Sequence, residues 1–225
     1  MSRRALISIV VAVVLVLLGA WLIWDRLYRE RPQPASITSD MDEMFLYGSI
    51  DNETDVGLPY WVVVVLPRVF GERYLPGPGG YAAVLPWEEG KELPVGFSKK
   101  TVGVDRVGFN CALCHTSERR FKDHDTKRIA DAGQLHAADI KGLADFFAKS
   151  AADARFNADS ILTEIDLAYR LNPLDRWLYR FVLIPRSRER LTELARWLTL
   201  PHVRSNSAPQ PPFSTERYAV AARTP

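Results

Sequence analysis

The hydropathy pattern divides the chain sharply. Positions 5–24, ALISIVVAVVLVLLGAWLIW, carry no charge and almost no polar group. At a rise of about 1.5 Å per residue, a helix of this length spans about 30 Å, the hydrocarbon thickness of a bilayer. Arg3 and Arg4 precede the run and Trp21 and Trp24 close it. That order suits a membrane span with a cytoplasmic N-terminus and aromatic rings at the far interface. A cleaved leader would have a shorter apolar stretch followed by a small-x-small site. Here Gly19-Ala20 leads into bulky Trp21, Leu22, Ile23 and Trp24, so residues 1–29 read as an uncleaved membrane anchor.

Beyond the anchor the pattern breaks into short amphipathic pieces. Residues 30–39, with Pro32 and Pro34, read as a polar linker. Met41, Met44 and Phe45 predict a short helix over 40–47. The run from Leu58 to Phe70 is ambiguous, because its valines favour a strand. The four-residue spacing of Trp61, Val65 and Val69 favours a helix, and we read it as one of about nine residues between Pro59 and Pro67. Residues 71–97 are rich in Gly and Pro and predict irregular chain, packed by Tyr81, Leu85, Trp87 and Phe97. Turns are expected over 94–110, a short helix over about 108–117 and a solvated, charged loop over 118–134.

From Ala137 the period becomes helical. One stripe holds Ile140, Leu143, Phe147 and Ala151. A second helix, capped by Asn157 or Asp159, carries Ile161, Leu162 and Ile165 and stops by Pro173. A third covers about 174–183 and a fourth about 187–198. Residues 201–225 hold no period and read as a disordered tail. The fold expected is mainly α: an N-terminal transmembrane helix, then a helical domain over 40–200 with long irregular loops.

Composition narrows the chemistry. The net charge of +2 and the lack of a basic, aromatic-interleaved stripe give no pointer to nucleic acid. The chain has 2 cysteines, Cys111 and Cys114, and His115 follows directly. C-x-x-C-H is the attachment signature of a c-type haem. Two thiols one helical turn apart can reach both vinyl groups of one porphyrin, and the adjacent imidazole can then approach the iron. Three other readings compete: a thioredoxin-like pair, which wants a βαβ setting, a zinc site completed by distant histidines, and a plain disulfide. Haem attachment is the preferred one.

The second axial ligand is open. No methionine follows Met44, so a downstream ligand would have to be His124, His136 or His202. His136, just before an amphipathic helix, is the leading candidate. Met41 or Met44, or no protein ligand at all, are the alternatives. Arg68, Lys99, Lys100 and Arg106 are candidate partners for haem propionates.

The segment Asn110-Cys-Ala-Leu-Cys-His-Thr116, preceded by Pro94-Val-Gly-Phe-Ser-Lys-Lys-Thr-Val-Gly103, resembles the haem segment of membrane-anchored bacterial c-type cytochromes. The resemblance spans about 47–200, though only C-x-x-C-H is specific. More loosely the chain is similar to dihaem proteins of the cytochrome c peroxidase and rubber-oxygenase kind, but it has no second C-x-x-C-H. The resemblance implies one covalent haem c on Cys111 and Cys114, with His115 as proximal iron ligand. It also implies a haem domain in the periplasm, tethered to the inner membrane through 5–24, and redox partner proteins at that membrane. The function expected is single-electron transfer. The alternatives are a haem peroxidase or oxygenase, or the first half of a dihaem enzyme, and a haem-binding sensor or assembly factor.

Overall fold

A computed structural model describes residues 2–120, 126–130 and 138–200. Helix α1 runs Arg3–Leu27, with the Ser2 hydroxyl accepting the Ala5 N–H as its N-cap. Its apolar side chains are exposed on every side and none is buried within the chain. A helix apolar all round needs an apolar surrounding, and α1 is long and apolar enough to cross a membrane.

The stretch that follows is not a free spacer. Strand β1 (Glu30–Arg31) pairs antiparallel with β3 (Phe97–Val102). The Gln33 side chain donates to the Lys99 carbonyl at 2.8 Å and accepts the Ser49 N–H at 2.7 Å. A short helix α2 (Ala35–Thr38) precedes α3 (Met41–Tyr47). The latter forms as expected, because the Asp40 carboxylate accepts the Asp42 and Glu43 N–H groups.

Strand β2 (Leu58–Pro59) leads directly into α4 (Tyr60–Tyr74). Helix wins over the strand propensity of the valines because Val62, Val63, Val65, Leu66 and Phe70 are all buried. Burial overrides intrinsic preference. The helix also passes through Pro67 instead of ending there. Proline lacks the N–H that would bond the carbonyl four residues back. That carbonyl, on Val63, instead accepts the Tyr81 hydroxyl at 3.0 Å. Tyr81 thereby stitches the Gly/Pro-rich segment onto α4, and Tyr81, Leu85 and Phe97 are buried there as expected.

The segment before the motif departs from expectation. Instead of turns, β3 and β4 (Val104–Phe109) form a tight hairpin about Gly103, which sits at φ +71°. With β1 and β2 at its edges it makes a four-stranded antiparallel sheet ordered β1-β3-β4-β2. The motif itself occupies one helical turn, α5 (Ala112–His115). A second antiparallel hairpin, β5 (Thr116–Arg120) and β6 (Thr126–Ala130), replaces part of the loop expected over 118–134. The mainly helical class therefore stands, with a small sheet that the hydrophobic period did not announce.

Helices α6 (Ile140–Ala152) and α7 (Ala158–Ala168, capped by Asn157) complete the core with α4 and a long C-terminal rod. The rod joins the third and fourth expected helices. It runs as α8 (Pro173–Leu178), a π turn (Tyr179–Leu183) and α9 (Ile184–Leu198). Pro185 offers no N–H, and the wider turn just before it lets the Ile184 N–H donate to the Tyr179 carbonyl. Aromatic rings link sheet and helices: Phe97 to Phe109 at 4.9 Å, Phe109 to Phe147 at 6.1 Å and Tyr81 to Phe146 at 5.9 Å between centroids.

Candidate functional site

Asn110, the residue before the motif, fixes how the motif leaves the sheet. Its N–H donates to the Gly96 carbonyl at 2.9 Å, and its buried side-chain amide donates to the Gly48 carbonyl at 3.0 Å. Its side-chain oxygen accepts the Ala112 N–H at 3.0 Å. The Cys111 carbonyl then accepts the His115 N–H at 2.9 Å and closes the turn. Gly96 lies directly against that turn. At φ +90° its absent Cβ would stand 2.4 Å from the Leu113 Cα.

Cys111, Cys114 and His115 line one cavity of about 480 Å³ with largely apolar walls. That volume lies within the range of about 300–1,000 Å³ usual for cofactor and small-molecule sites. Phe109 and Leu113 supply the wall beside the motif, and Ile50, Asn52 and Val56 a second. The 49–57 loop is tied to the hairpin by polar contacts. The Asn52 amide donates to the Phe109 carbonyl at 2.6 Å, and the fully buried Glu53 carboxyl accepts the hydroxyls of Ser49 and Ser98. Gly108 makes this approach possible, since a Cβ there would stand 2.2 Å from Asn52 Oδ1. The third wall is one face of α9: Arg190, Glu193, Leu194 and Trp197, at the i, i+3, i+4, i+7 spacing of a single helical stripe.

The chemistry of the three motif residues is distinct. Cys111 is exposed and Cys114 half-buried, and no disulfide joins them. Burial pushes the Cys114 thiol above its ordinary value, and neighbouring Cys111 adds to the rise. The buried Nδ1 of His115 has no hydrogen-bond partner among the described residues. Two thiols and an imidazole on the lining of a largely apolar cavity suit a large apolar group carrying an electrophilic edge and a metal. The setting does not suit a thioredoxin-like pair, because the motif follows an antiparallel hairpin and not a βαβ unit. Among the described residues no three His, Cys, Asp or Glu side chains converge to hold a metal ion.

With both thiols free, iodoacetamide at pH 7 is expected to label Cys111 roughly fivefold or more faster than Cys114. The thiolate is the nucleophile, and a raised pKa leaves less of it at a given pH. Peptide mass mapping over a time course reads the two rates; equal rates would contradict the burial of Cys114.

Cys111, Cys114 and His115, read from the sequence as one site, all line this cavity, while several of the other candidates lie elsewhere. Met41 and Met44 are 86% and 54% exposed and lie off the lining. Lys99 pairs with Glu92, and Lys100 with Glu30 and Asp51. Arg68 is exposed and off the lining, and Arg106 belongs to a neighbouring pocket. Among the described residues the cation on the lining is Arg190, whose helical stripe with Trp197 was readable from spacing but was overshadowed by the core stripe of Leu191, Leu194 and Leu198. His124, His136 and His202, and the tail 201–225, lie outside the described residues.

No protein-family profile, curated protein or solved structure matches the chain.

Proposed function

We propose that the chain is a membrane-anchored monohaem c-type cytochrome that carries single electrons, with its haem domain on the periplasmic side of a bacterial inner membrane. One observation carries the reading: Cys111, Cys114 and His115 share one apolar cavity of about 480 Å³. The residues present fit a haem c. Both sulfurs lie on one turn, and the imidazole beside them has a buried nitrogen without a partner. A haem bound there would supply a reversible one-electron iron couple.

The chain's own residues would do the rest. Cys111 and Cys114 would hold the porphyrin edge through sulfur, and His115 would offer an imidazole nitrogen to the iron. Phe109, Leu113, Leu194 and Trp197 would give the group an apolar wall, which tunes its potential. Arg190 supplies positive charge at the wall for a carboxylate. The distal ligand is proposed to be His136. The anchor keeps the carrier at high effective concentration beside redox partners in the same membrane.

The full chain, exported and purified in detergent, tests this by absorption spectroscopy. The expected result is a covalently held pigment whose reduced spectrum ignores carbon monoxide, and a His136→Ala variant whose reduced spectrum responds to it. Rapid carbon monoxide binding by the unaltered protein would overturn the carrier and favour a haem peroxidase or oxygenase. A colourless protein would overturn both.

A further inference from the structure

A second, polar pocket of about 160 Å³ lies where the membrane helix enters the folded domain. Its lining includes Leu27 and Tyr28, the last residue and C-cap of α1, together with Arg106, Arg186 and Arg190. Asp55 is the one acidic side chain on this lining. The Arg106 guanidinium donates to the Leu27 carbonyl at 3.0 Å and the Thr54 carbonyl at 3.3 Å, while its buried Nε has no partner. Burial holds Arg106 below its ordinary pKa, and the charges of Arg186 and Arg190 push the same way. Arg190 has Glu193 at 2.9 Å, and Arg186 has no ion pair among the described residues. Arg106, Arg186 and Arg190 thus share a lining with one acidic side chain, and of the three only Arg190 has an ion pair among the described residues.

The pocket's position says which anion. Trp24 and Tyr28 are exposed at the end of α1, and such rings mark headgroup depth. Arg26, in the last turn of α1, pairs with Asp175 of α8 at 2.6 Å. Next to Asp175 the chain exposes Trp177 and Phe181, with ring centroids 5.5 Å apart. The end of the domain that adjoins the span therefore carries both an aromatic patch suited to the interface and a cationic pocket.

We propose that Arg106 and Arg186, on the lining of this pocket, bind the phosphate of an anionic phospholipid headgroup and so seat the domain on the bilayer. The proposal rests on the reading of α1 as a membrane span and is independent of the haem. Guanidinium forks bind phosphate bidentately. Headgroups are the phosphate source held at the highest local concentration at the mouth of a span.

The test uses the full chain in mild detergent, titrated separately with phosphatidylglycerol, phosphatidylcholine and inorganic phosphate and read by native mass spectrometry. One phosphatidylglycerol per chain is expected to be retained, with phosphatidylcholine at least roughly tenfold weaker and inorganic phosphate unable to displace the lipid at equal concentration. Arg186→Gln, at an exposed residue without an ion pair among the described residues, is expected to weaken phosphatidylglycerol retention roughly tenfold with an unchanged melting temperature. Arg106→Gln should weaken it at least as much; Arg190 is left alone because it also lines the haem cavity. Equal retention by Arg186→Gln, equal retention of phosphatidylcholine, or displacement by inorganic phosphate would each overturn the proposal. Carbonate extraction of membranes checks α1 separately: a released chain would defeat the anchor reading, while the detergent titration still reports on the pocket.

Discussion

A Cys111→Ser/Cys114→Ser double variant is expected to fold and reach the membrane but to retain no covalent porphyrin. A haem stain on a denaturing gel and the intact mass of the chain check this directly. The loss should be complete for the double variant, because the 2 cysteines of the motif are the only thiols in the sequence. The fold should survive. Cys111 is exposed, and the turn is closed by the Cys111 carbonyl and the Asn110 side chain and not by either sulfur. Serine at the half-buried position 114 costs about 1–2 kcal/mol at most. That loss is tolerable within the stability of about 5–15 kcal/mol usual for a domain. Each single variant keeps one sulfur and should retain a reduced amount of covalent pigment. A double variant that still stains, or an unaltered chain without the added mass, would remove the basis of the cytochrome proposal.

The features legible in the sequence are those that local spacing determines. The candidate span announces itself because a helix that crosses a membrane must be apolar all round, and positions 5–24 hold no charge and one polar side chain, Ser8. Helix α4 was legible against its valines because Trp61, Val65 and Val69 keep a four-residue spacing. The C-x-x-C-H turn was legible because its chemistry lies within five residues. The hairpin β3–β4 was not, because its alternation is broken by burial of Ser98, which points at the buried Glu53 carboxyl. A polar residue buried for a distant partner leaves no periodic trace. The rest of the cavity was hidden for the same reason: its walls come from 50–56 and 190–197, far from the motif in sequence. Two boundaries were misread at prolines. Pro67 was taken as the end of a helix, yet α4 runs through it with Tyr81 bonding the freed carbonyl; the gap left between the third and fourth expected helices is bridged by a π turn just before Pro185.

The second large effect belongs to a residue that carries no chemistry. Gly96→Ala is expected to destabilise the domain by about 3 kcal/mol or more and to lower the yield of pigmented protein. Two costs add. At φ +90° an alanine is strained, by about 1–3 kcal/mol. Its Cβ would also lie 2.4 Å from the Leu113 Cα and 2.5 Å from its nitrogen. Those are backbone atoms of the motif turn and cannot swing aside as a side chain could, so the overlap adds about 1–3 kcal/mol. Moving the turn would in addition stretch the bonds from Asn110 to the Gly96 carbonyl and from the Gly96 N–H to the Leu46 carbonyl, now 2.9 and 3.1 Å. Two further variants separate the costs. Gly90 has a similar φ of +80° with open space around it, so Gly90→Ala should show the strain alone. Gly77 has neither positive φ nor a neighbour within 4 Å, so Gly77→Ala should be close to neutral. Thermal midpoints of the purified chains give the ranking. Gly96→Ala should fall on the order of 10 °C below the unaltered protein, Gly90→Ala by a few degrees at most, and Gly77→Ala not measurably. Equal midpoints for Gly96→Ala and Gly90→Ala would mean that the motif turn does not sit against Gly96, and the cavity built on that contact would have to be redrawn.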